Sequence, residues 1–110
     1  MISYKLKNTT QFNLNCELVK KFLDKIDTVK FVKTNCSDIL DIVVPFNSIN
    51  LKVGQVEIGT CSIKFFIKET NYSDFAIGSF DIYDLLLRYT DETLQRMVKF
   101  LNENLSWEVR

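Results

Sequence analysis

Between residues 49 and 69 the apolar positions alternate, lose step once, and alternate again. Ile49, Leu51 and Val53 share one parity, whereas Val56 and Ile58 take the other. One extra residue at Gly54 restores the phase, as a β-bulge does. Gly59-Thr60 then predicts a two-residue hairpin with glycine at its first central position. Closed there, the hairpin sets Ile58 against Cys61, Val56 against Ile63, Val53 against Phe65 and Leu51 against Ile67. All eight would face one buried side of a sheet.

Other patterns surround this hairpin. Residues 2–7 (Ile-Ser-Tyr-Lys-Leu-Lys) alternate and predict a first strand. Asn8 to Gln11 read as a connector. From Leu14 to Ile26 the period becomes helical, with Asn13 as N-cap and Leu14, Leu18, Val19, Phe22, Leu23 and Ile26 on one half of the wheel. Glu17–Lys21 and Lys20–Asp24 are i,i+4 pairs of opposite sign on the other half. Thr28 to Thr34 predicts a strand, Asn35 to Asp38 a turn, and Ile39 to Phe46, apolar on both faces, an interior strand. That strand should end or reach an edge at Pro45. Thr70 to Asp74 reads as a loop, and Phe75 to Phe80 as a last strand.

Asp81 is a suitable N-cap for a short helix to Tyr89. Ile82, Leu85, Leu86 and Tyr89 form one stripe of it, and Tyr83 and Leu87 form a surplus second stripe. A helix apolar nearly all round is either sandwiched or offered to a partner. A final helix runs from Glu92 to Leu105, capped by Thr90 or Asp91. Leu94, Met97, Val98, Leu101 and Leu105 are its inner stripe and Phe100 lies at its edge, with Trp107 and Val109 tying down the tail. The whole predicts a single α+β domain over residues 1–110. Its mostly antiparallel β-sheet has one helix after the first strand and two C-terminal helices packed on it.

Composition narrows the class. The 110 residues are 46% hydrophobic and 25% charged, an ordinary globular balance with net charge zero. Residues 1–33 hold seven lysines against three acids, and residues 70–110 hold four basic residues against seven acids. Such a gradient can steer a charged partner or can be two solvated surfaces. Cys16, Cys36 and Cys61 are odd in number and widely spaced, without a CxxC. Cys61 is expected on the buried hairpin face, and the set suits a reducing compartment. With no apolar leader and no run long enough for a bilayer, the expectation is a cytoplasmic protein without a membrane partner. The Asn-x-Ser/Thr matches then read as by-products of composition.

The chain has no histidine, which removes Ser-His-Asp and Cys-His catalysis and imidazole metal sites. No GxxxxGK[ST], GxGxxG or Ser-x-x-Lys occurs. Asn50-Leu51-Lys52 and Ser62-Ile63-Lys64 carry neutral residues where a magnesium nuclease would need an acid. Asp38 and Asp41 have opposite strand parity, and Asp81 and Asp84 read as cap and first turn. The expectation is therefore no enzyme, no catalytic residue, no metal and no cofactor.

Two binding surfaces remain. The leading one is a protein-binding site at Tyr83, Leu87 and Phe66, the last an aromatic on an otherwise wet sheet face. It points to an inhibitor, immunity-type or accessory protein that occludes a partner. The alternative is nucleic-acid binding by Lys52, Lys64, Phe66 and Lys68 on that same face, against which stand Glu57 and the zero net charge. An uncovered sheet edge could also pair two copies into a homodimer.

Overall fold

Alternation with one buried parity dictates a sheet covered on one side, and the computed structural model shows that arrangement. It describes residues 2–68 and 75–105, with side chains at 11–45, 47–68 and 76–105. Five antiparallel strands run in sequence order: β1 (Lys30–Lys33), β2 (Ile39–Phe46), β3 (Ile49–Ile58), β4 (Ser62–Lys68) and β5 (Phe75–Asp81). Helix α1 (Ile2–Leu23) precedes the sheet. A π-helical turn (Asp84–Arg88) and helix α2 (Thr90–Asn104) come after it. The α+β class and the antiparallel sheet expected from the sequence are observed. The expected loop 70–74 and the tail residues Trp107 and Val109 lie outside the described residues.

The sheet's inner face carries Leu40, Ile42, Val53, Val56, Ile58, Ile63, Phe65 and Ile67, all buried. They form one core with Cys16, Val19 and Leu23 of α1, Ile82 and Leu85 of the π turn region, and Met97 and Leu101 of α2. Phe65 is its centre, with ring contacts to Phe31 of β1, Phe80 of β5 and Phe100 of α2.

The phase slip is observed, one residue before the Gly54 position expected of it. Ile42 pairs with Gly54 but Val43 pairs with Lys52, so Val53 is the extra residue. The bulge is opposite β2. Val53 and Leu51 have no register with β4, because Gly54 already pairs with Ile67. The turn after β3 is displaced by one residue from the expected position. Ile58 pairs with Ile63, and the Gly59 N–H donates to the Ser62 carbonyl at 2.7 Å, leaving Thr60 and Cys61 at the tip. Val56 now faces Phe65, still on the buried side. Cys61, expected in the core, is exposed.

The turn with the backbone twist typical of tight hairpins is elsewhere. Phe46 pairs with Ile49 across Asn47 and Ser48, whose φ values are 50° and 69°. Two consecutive positive φ angles are the type I′ signature, here without a glycine.

The first strand expected over residues 2–7 is helix. Ile2, Tyr4 and Leu6 alternate, but Ile2 and Leu6 are also i,i+4 neighbours, and six residues do not separate the two periods. Asn13 is consequently mid-helix and exposed rather than a cap. Past Leu23 the backbone tightens, with Lys25 N–H to Phe22 O and Ile26 N–H to Leu23 O, and Ile26 is still buried.

Candidate functional site

The turn after β5 is built on Asp81. Its Oδ1 accepts hydrogen bonds from the backbone N–H of Tyr83 (2.8 Å) and Asp84 (3.1 Å), the N-cap role expected of it. Arg88 reaches back to Asp84 Oδ1 at 2.7 Å, with Asp81 Oδ1 at 3.7 Å, so both acids hold one guanidinium. The turn closes with the Tyr89 N–H on the Asp84 carbonyl at 2.7 Å, an i→i+5 bond.

That π bond takes in one residue more than an α turn and so rotates the chain beyond it. Ile82 and Leu85 are buried and Leu86 is half-buried, as the first stripe requires. Tyr89, expected in the same stripe, is instead 51% exposed, at φ −127° and ψ 53°. Tyr83 is 45% and Leu87 74% exposed, so the surplus stripe faces solvent. Three large side chains thus project from a single capped and ion-paired turn. Tyr89 is the member that the sequence pattern does not reveal, since no residue pattern distinguishes a π turn from an α turn.

Phe66 lies on the outer face of the sheet, half-buried, in register between Gln55 of β3 and Ile77 of β5. It sits mid-strand on β4, whereas Tyr83 and Leu87 come after the end of β5, so the strand register does not set it beside them. The structure therefore does not join the three expected protein-binding residues into one site.

The four residues of the alternative site do share the outer face, but the lysines divide. Lys52 and Lys68 line a surface hollow of about 370 Å³ with Gly54 and Gln55. Lys64 lines another of about 300 Å³ with Asp38, Ile39, Glu57, Ile58, Gly59 and Ser62. Lys52 Nζ is 3.2 Å from Asp41 Oδ1. That carboxylate oxygen is buried and has no aligned hydrogen bond, so the lysine is its charge partner without satisfying it geometrically. Lys64 stands directly opposite Glu57. Val43, on the same face, is buried between Lys30 and Lys52 in register, where lysine stems can cover it.

The thiols are all free. Burial, the largest effect, pushes the Cys16 pKa up. Asp38 and Glu17 add to this, and only Lys20 opposes it. Cys16 is therefore an inert core thiol. Among the described residues no group of three or more acids and cysteines could hold a metal ion. No helix among them is long and apolar enough to cross a membrane.

Comparison of the chain with protein-family models, curated proteins and solved structures gives no match.

Proposed function

We propose that this protein is a small non-enzymatic binding module that docks on a protein partner through Tyr83, Leu87 and Tyr89. The observation that carries this reading is their joint exposure on one rigid turn. Tyrosine supplies large contact area at low entropic cost and is favoured at the energetic centre of interfaces. The cap and the Arg88 ion pairs fix the turn beforehand, which lowers the ordering cost of binding. The mode of action would be occlusion of the partner's surface, as in an inhibitor, immunity-type or accessory protein. Free Cys36 and Cys61, both exposed, suit a reducing compartment and hence the cytoplasm.

The lysine face ranks second. The Lys52–Lys68 hollow favours it, whereas the Asp41 and Glu57 charges among those lysines weaken it.

The test is affinity capture from the native host with wild-type protein and with Tyr83→Ala/Leu87→Ala as bait. The proposal expects a protein retained by wild type and lost with the variant, while far-UV circular dichroism stays unchanged. Retention by both baits contradicts it. Salt-sensitive binding of a single-stranded oligonucleotide, abolished by Lys64→Ala/Lys68→Ala, would move the assignment to the lysine face.

A further inference from the structure

We propose that β5 is a dimerisation edge, along which two copies of this chain join their sheets antiparallel about a two-fold axis at Gly78. The two edges of the sheet are unlike. β1 has four residues, two of them Lys30 and Lys33, the short and charged form that discourages pairing. β5 has seven residues, no proline, and no charge before Asp81 at its end.

The direction of its backbone groups is set by the register. Ile82 N–H donates to the Cys61 carbonyl at 3.0 Å, and β5 pairs with β4 in unbroken antiparallel register. Alternation then turns the N–H and C=O of Ala76, Gly78 and Phe80 toward β4, and those of Ile77, Ser79 and Asp81 outward. Among the described residues nothing receives these outward groups.

The strand is self-complementary about its midpoint. An axis at Gly78 sets Ile77 against Ser79 of the second copy, and both present outward groups, as a hydrogen-bonded pair requires. Ala76 falls opposite Phe80 of the second copy, a small residue facing a large one. An axis at Ile77 or at Ser79 leaves one end of the strand unpaired, and only Gly78 uses all seven residues.

Charge agrees with this register. Lys68 pairs with Phe75, and Phe75 would pair with Asp81 of the second copy. The lysine of one copy then lies two strand spacings, about 10 Å, from the acid of the other on the same face. Helix α2 packs on the covered face, with its Phe100 over Gly78 and against Phe65 of β4 and Phe80. Ile77 and Ser79, on the opposite face of β5, are exposed.

Sedimentation velocity on the full chain over a wide concentration range tests the proposal. Wild type should show a monomer–dimer equilibrium. Ser79→Pro removes an N–H that points away from β4, and Ile77→Lys adds an edge charge at a position already 61% exposed. Both should remain monomeric with native circular dichroism, and Ile77→Lys serves if the proline variant fails to fold. Tyr83→Ala/Leu87→Ala should still dimerise, which separates this edge from the docking turn. A wild type monomeric at every concentration, a dimer retained by the folded edge variants, or a dimer lost through Tyr83→Ala/Leu87→Ala would each overturn it.

Discussion

At Gly54 there is no room for a side chain. A Cβ built there falls on the Phe66 carbonyl oxygen and within 3.1 Å of Ile67 Cα, both backbone atoms of the neighbouring strand. The requirement is close approach, since none of the described glycines has a positive φ. Gly54→Ala should therefore cost about 2–3 kcal/mol in urea unfolding, as overpacking does. A loss below about 0.5 kcal/mol, typical of a surface change, would contradict the close approach. Ser48 presents the opposite case, at φ 69° with a Cβ to accommodate. Ser48→Gly should stabilise the protein by about 0.5–1 kcal/mol, relief of left-handed strain outweighing the added entropy of the unfolded chain. A lower melting temperature would show that the turn is not strained there. The sequence pointed to Gly54 through parity alone. It concealed Ser48, because Asn47-Ser48 holds no glycine to mark a left-handed backbone.

The elements were legible where their hydrophobic period ran long and was enforced by burial. β2 occupies residues 39–46 as its run of residues apolar on both faces predicts, and β5 begins at Phe75. They were misread where the segment was short or where hydrogen bonding, rather than patterning, decided the conformation. Residues 2–7 fit two periods at once, and the i→i+5 bond that exposes Tyr89 leaves no trace in composition. The cap at Asp81 was legible because its chemistry is local. Asp81→Ala should cost about 1 kcal/mol, the usual worth of an N-cap, whereas Asp81→Asn keeps the acceptor and should stay close to wild type. Equal stability of the two variants in chemical denaturation would mean that the two N–H bonds do not hold the turn.

At the scale of the whole molecule, both helices share one core with the inner sheet face. This leaves an outer face rich in lysine, a projecting turn, and β5 as an edge strand without a second neighbour among the described residues. The candidate site was half legible. Tyr83 and Leu87 are exposed as a surplus stripe should be, whereas Phe66 is half-buried mid-strand, in register with Gln55 and Ile77 rather than with that turn. All of these surfaces depend on β4 lying between β3 and β5 with Val56 and Phe65 on the covered side. Amide hydrogen exchange resolved by NMR on dilute protein probes that arrangement most directly. The expected pattern is strong protection across β3 and β4, with slow Ala76, Gly78 and Phe80 alternating with fast Ile77 and Ser79 along β5. Uniform protection along β5 at dilution, or rapid exchange at Val56 and Phe65, would contradict the sheet order.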